Sequence, residues 1–123
     1  MIIAVDFDGT LCSGPYPAIG DPVPDAVKTM QMLHNDGHTL IIWTCRCGDL
    51  LIAAINWMLQ NKIPFDRVND HDPVNLEKYK SNARKVYAHA YIDDKNVGGL
   101  PPWTKIYQYI SEQERQYKNS QIQ

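Results

Sequence analysis

The stretch that decides the fold is MIIAVDFDGT, residues 1–10. Ile2, Ile3, Ala4 and Val5 form an apolar run without polar alternation, the pattern of a strand covered on both faces in a parallel sheet. The run ends on Asp6 and Asp8 and then turns at Gly9. Two carboxylates at one strand end repel each other and lose hydration, so the arrangement is costly unless a cation or a reacting group offsets it.

Further apolar runs of the same kind lie at residues 40–43 and 86–92, and residues 65–68 read as a short third strand. Between the first two strands, Pro24 and Asp25 suit a first helical turn. Val27, Met30 and Leu33 recur at helical spacing, and Asn35, Asp36 and Gly37 form a stop. A second helix is expected from about residue 49 to 61, with Leu51, Ile55, Met58 and Leu59 facing the core and Pro64 beyond it. A weaker helical pattern covers residues 76–83, and a last helix carries Trp103, Ile106, Tyr107 and Ile110. Strands alternating with helices predict an α/β fold, a three-layer Rossmann-like parallel sheet with helices on both faces. One domain over residues 1–118 is expected, followed by a polar, frayed tail at 119–123.

Composition narrows the function. Apolar residues make up 44% and charged residues 21%, the balance of an ordinary globular chain. Twelve Lys and Arg against fourteen Asp and Glu leave a net charge of −2, which argues against nucleic-acid binding through counterion release. No apolar stretch approaches the roughly 20 residues of a membrane span, and residues 1–5 lack the basic flank and length of a signal peptide, so a cytoplasmic protein is expected. Cys12, Cys45 and Cys47 lack zinc-ligand spacing and read as free thiols.

In a parallel α/β sheet the site lies beyond the carboxyl ends of the strands. Those ends carry Asp6 and Asp8, then Thr44, Cys45 and Arg46, then Asp93 and Asp94. Four carboxylates meeting in one crevice would cost several kcal/mol even at an effective dielectric of about 20, which implies a bound divalent cation. Oxygen ligands without His or Cys point to Mg²⁺.

The string Asp6-Phe7-Asp8-Gly9-Thr10-Leu11 resembles the first motif of the haloacid dehalogenase superfamily, Thr44 its second motif and Asp93-Asp94 its fourth. The resemblance spans most of the chain and implies a HAD-like fold, here without a cap domain, and a Mg²⁺-dependent phosphatase. It makes Asp6 the nucleophile that becomes an aspartyl phosphate and Asp8 the general acid and base, suited by a carboxyl in crowded acidic surroundings. Thr44 would hold the phosphoryl group, with the amides of Gly9 and Cys45, Thr10 and Arg46 as further substrate contacts. Asp94 is the favoured metal ligand beside Asp6 and the main-chain oxygen of Asp8, with Asp93 in support or in its place. The third motif is a lysine. Lys85 is set aside, because a strand over 86–92 at about 3.3 Å per residue would carry it over 20 Å from Asp93; Lys78 or Lys80 is better placed, with Lys95 a further candidate.

With no lid, the open site suits a small phosphorylated substrate or a larger one, or closure by a second copy in a homo-oligomer. Two other classes compete. A phospho-accepting receiver domain also gathers acids, a threonine and a lysine at parallel strand ends, but its acceptor acid ends a middle strand, where this chain has Thr44. A non-catalytic binding protein on the same fold is the other. His89, within the presumed strand, reads as a hydrogen-bonded core imidazole, and no histidine is assigned to catalysis.

Overall fold

The computed structural model, which describes residues 1–122, alternates strand and helix in the order β1 (Ile2–Val5), α1 (Ala26–Asn35), β2 (Thr39–Ile42), α2 (Gly48–Gln60), β3 (Arg67–Val68), α3 (Pro73–Tyr79), β4 (Ala90–Ile92) and α4 (Trp103–Ile122). The strands form one parallel sheet in the order β3-β2-β1-β4. Val5 lies opposite both Ile42 and Ile92, so the residues that follow β1, β2 and β4 emerge side by side. The chain steps outward from β1 to β3 and then returns past β1 to place β4, which puts the topological switch next to β1.

Crossovers that step in one direction send their helices to one face of the sheet, because each is right-handed. The main core obeys this. Ile3, Val5, Leu40 and Ile42 pack with Met30 and Leu33 of α1, Ala54 and Met58 of α2, and Trp103, Ile106 and Ile110 of α4. Only the reversed crossover from β3 to β4 serves the opposite face, where Ile2, Ala4 and Ile41 lie under Val86 and Ala88, flanked by Trp43 and Tyr91. The helix on that crossover, α3, buries no side chain. The α/β fold with a parallel sheet is as expected; a helical layer packs on one face, and on the other the buried cover comes from irregular chain.

That cover explains the late strand. The apolar run at 86–92 pairs only over Ala90–Ile92, since Val86 and Ala88 do more by burying against Ile2 and Ala4 than by extending an edge. The Tyr91 hydroxyl pins the segment, donating to the Val86 carbonyl at 2.6 Å and accepting from the Ala88 amide at 3.1 Å. His89 is not a core residue; it is exposed at the sheet edge, where its Nδ1 accepts from the Ile2 amide at 2.9 Å.

Local chemistry shifts other boundaries. Asp72 accepts from the Asn75 amide at 3.0 Å with Pro73 in the first turn, so α3 starts earlier than expected. It ends at Lys80, which adopts a left-handed φ of 53°. On α2 the buried stripe runs through Ala54 and Met58, while Leu59 is 62% exposed. Helix α4 continues into the expected tail as far as Ile122, and Glu114 on it pairs with Lys118 at 2.6 Å one turn on and with His38 at 2.7 Å at the start of the sheet. Of the expected tail, Gln123 lies outside the described residues. No helix among those described is long and apolar enough to cross a membrane. Cys12, Cys45 and Cys47 are all free thiols.

If the Tyr91 hydroxyl is the brace of the second face, Tyr91→Phe removes two hydrogen bonds from partly buried groups and costs about 1–2 kcal/mol. A urea titration should show a lower midpoint at unchanged slope; an unmoved midpoint would mean that apolar burial alone holds the cover.

Candidate active site

The site is built where β1 and β4 end. The Asp6 amide donates to the Ile92 carbonyl at 2.9 Å, fixing the first residue after β1 against the last of β4. Asp6, Asp93 and Asp94 each offer a carboxylate oxygen within 4.8 Å of the others. Thr10, fully buried, links Asp6 to Asp94: its hydroxyl donates to Asp6 Oδ2 at 3.0 Å, lies 3.4 Å from Asp94 Oδ1 and accepts from the Asp94 amide at 3.0 Å. The Thr10 carbonyl accepts from Trp103 Nε1 at 3.0 Å, which ties α4 to the same point.

Gly9 is required here for two reasons. Its φ is +78°, and a Cβ would sit 2.2 Å from Asp94 Oδ2. Its amide donates to the Cys12 carbonyl at 3.0 Å, so the expected contact from that amide to substrate is replaced by a bond inside the turn. Thr10 likewise serves the acids, not a ligand.

Asp8 does not join the acid cluster. Its carboxylate takes a two-pronged contact from Arg46, Nε to Oδ2 at 2.9 Å and Nη2 to Oδ1 at 2.8 Å. The surroundings expected for it were other acids; the structure supplies a guanidinium instead, and the hydrogen bonds to Asp8 push the Arg46 pKa further up. Arg46 is 2% exposed and also donates to the carbonyls of Pro17 and Leu50, so it is committed to the protein and not presented to a phosphate.

Thr44 follows the end of β2, one strand from Asp6. Asn69, missed in the sequence, grips it from both sides: the Thr44 amide donates to Asn69 Oδ1 at 2.8 Å, and Asn69 Nδ2 donates to the Thr44 carbonyl at 2.8 Å. Asn69 has a left-handed φ of 52° just beyond β3, and a residue tolerant of that conformation after a strand was the available signal. The Thr44 hydroxyl accepts from the Arg46 amide at 3.1 Å and keeps its own proton free to donate. Cys45 is exposed at the rim.

The lysines fall out differently from expectation. Lys78 and Lys80 are exposed on α3, Lys78 against the Tyr79 ring at 5.2 Å and Lys80 paired with Glu77. Lys85 instead lines a cavity of about 280 Å³ with Asp6, Trp43, Asp93 and Asn96. Its Nζ lies 5.2 Å from the Tyr91 ring centroid. A straight strand over 86–92 would keep Lys85 away; because residues 86–88 fold across the sheet face, Lys85 returns to the acids. Lys95 Nζ stands 3.9 Å from Asp94 Oδ2, mostly in solvent.

Asp6 carries the cost of this crowding. Burial and then the charge of Asp93 raise its pKa from 3.8 to about 7, against the hydrogen bond from Thr10. The three acids fit a small divalent cation: their donors are all oxygen and lie close enough together to hold one ion. Since the folded protein holds the Asp6 proton more tightly than the unfolded chain, the stability this group contributes is present below about pH 4 and is lost as pH rises through about 7.

In chelator, wild-type stability should therefore fall by about 1–2 kcal/mol between pH 4.5 and 7.5, after discounting for solvent screening, and Asp6→Asn should flatten that fall. Mg²⁺ at pH 7.5 should raise the wild-type Tm and leave Asp6→Asn nearly unmoved. Identical curves for both proteins, with and without the ion, would show that the acids neither crowd one another nor bind it.

No family model and no curated protein matches the chain. Among solved structures, it is similar to a conserved protein from Bacteroides thetaiotaomicron, with 43% identity, a TM-score of 0.82 and coverage of 92% of this chain and 91% of that one. With that identity over nearly the whole of both, the chain belongs to the same family as the conserved Bacteroides protein.

Proposed function

We propose that the protein is a small Mg²⁺-dependent phosphatase that hydrolyses a phosphate monoester through an aspartyl phosphate on Asp6. The observation that carries this reading is the convergence of Asp6, Asp93 and Asp94, with the Thr10 hydroxyl joining Asp6 to Asp94 and Lys85 lining a cavity with Asp6 and Asp93. Acids held this close without a cation are destabilising, so the cluster is better explained by what it binds than by what it adds to stability.

In the first step an Asp6 oxygen bonds to phosphorus as the ester P–O bond breaks, and the departing oxygen takes its electron pair together with a proton from the Asp8 carboxyl. In the second, water gives a proton to Asp8 and bonds to phosphorus, releasing inorganic phosphate and restoring Asp6. The free proton of the Thr44 hydroxyl and the Lys85 ammonium are the donors available to phosphoryl oxygens, and most of the rate gain is assigned to such placement of charge. Mg²⁺, held by Asp6 and Asp94 with Asp93 alongside and the main-chain oxygen of Asp8 as the resemblance implies, would offset the repulsion between a carboxylate and a phosphate.

Release of p-nitrophenol from p-nitrophenyl phosphate with Mg²⁺ tests the reading. Asp6→Asn should lower turnover by about a thousandfold or more, as loss of a nucleophile does. Lys85→Met should slow it by about 10–100-fold, far more than Lys78→Met or Lys80→Met. One equivalent of label taken up from a small phosphodonor, without turnover, would replace the phosphatase reading by a phospho-accepting switch; neither uptake nor turnover would leave a binding protein.

A further inference from the structure

Arg46 makes four side-chain hydrogen bonds, and nothing in the acid cluster accounts for it. Its side chain is 0% exposed although it stands at the rim of an open site. Besides both oxygens of Asp8, it donates from Nη2 to the Pro17 carbonyl at 2.9 Å and from Nη1 to the Leu50 carbonyl at 3.2 Å. The guanidinium lies 5.1 Å from the Tyr16 ring centroid and 5.2 Å from that of Phe7. One group thus joins the turn after β1, the first turns of α2 and the tip of the loop over residues 13–22.

That loop has little else to hold its tip. Its internal bonds link Ser13 to Asp21 and Gly20 near the base, and residues 13–18 are exposed. Among the described residues, the bond from Arg46 to Pro17 is the hydrogen bond that ties residues 14–19 to the rest of the protein. A buried guanidinium is a poor way to gain stability, since a well-packed apolar side chain of similar size commonly does as well. Its value here is geometric. A planar fork fixes both the direction and the rotation of a carboxylate, which an ammonium cannot do.

We infer that Arg46 is a positioning residue that fixes the Asp8 carboxyl to the 13–22 loop, so that the proton-transfer group and the loop beside it are aimed as one unit. The inference rests on the phosphatase reading. A proton on Asp8 Oδ1 removes the Nη2 prong and leaves the one from Nε to Oδ2, while Nη2 keeps Pro17 and Nη1 keeps Leu50 as acceptors. Asp8 therefore stays aimed while it passes its proton to the departing oxygen, and no guanidinium donor is stranded.

The experiment compares kcat/KM for p-nitrophenyl phosphate, whose phenolate departs without help, and benzyl phosphate, whose alkoxide needs a proton. This ratio reports only steps through departure of the leaving group, so the later attack of water does not enter. Arg46→Gln should lower the benzyl value by about 100-fold and the p-nitrophenyl value by less than about fivefold. Asp8→Asn should show the same selectivity, and the double variant should lose little more than either single one. Arg46→Lys, which keeps the charge and loses the fork, should fall between; if Arg46→Gln does not fold, this variant carries the comparison. Equal losses on both substrates, or losses that add to those of Asp8→Asn, would make Arg46 a structural residue and overturn the inference while leaving the phosphatase standing. A wild-type protein that turns over neither substrate would remove the phosphatase reading, and this role with it.

Discussion

Three carboxylates that repel one another are kept within 4.8 Å, and the Thr10 hydroxyl is the group that joins two of them, Asp6 and Asp94. It donates to Asp6, accepts from the Asp94 amide and, through its own carbonyl, is held by Trp103. The turn after β1, the loop after β4 and the start of α4 therefore share one buried residue. Gly9 completes the approach, since any side chain there would occupy the position of the Asp94 carboxylate. The sheet supplies the register, with Val5 level with Ile92, but it is the hydroxyl that turns two strand ends into one site.

The unequal faces of the sheet follow from topology and shape the site in turn. Three helices bury one face, while the other has only the chain before β4, with α3 too short and too polar to pack. A helix there would have fixed which side chain reached the acids by its own spacing. The irregular cover instead depends on Tyr91 holding residues 86–88, and it is this fold-back that delivers Lys85. Regions with few buried contacts open most readily, so the second face is the side from which access to the acids is most easily varied.

Much of this was legible from residue types alone. The apolar runs fixed the parallel strands, and the acids at their ends fixed where to look, because carboxylates rarely end two neighbouring buried strands by chance. What could not be read were interactions set by chain direction outside regular elements. Lys85 was misplaced because Val86 and Ala88 have the pattern of a strand, and only the tertiary choice to cover Ile2 and Ala4 bends them away. Arg46 was expected to contact substrate; its burial was hidden because, besides Asp8, its partners Pro17 and Leu50 are main-chain carbonyls that carry no side-chain signal. Asn69 was hidden in a polar turn for the same reason: its work is to bond the backbone of Thr44.

The different surroundings of Asp6 and Asp8 depend on β1 having a neighbour on each side. Asp6 faces the acids that follow β4, and Asp8 faces the arginine that follows β2. Between them Phe7 is driven into the core, edge-on to Trp57 at 5.5 Å, which turns the two acids toward different partners. Here one is raised toward neutrality by burial and like charge, while the other is held by an opposite charge, so a single strand end presents two chemically distinct groups about two residues apart. An edge strand has only one neighbour to draw on, and could not separate them in this way.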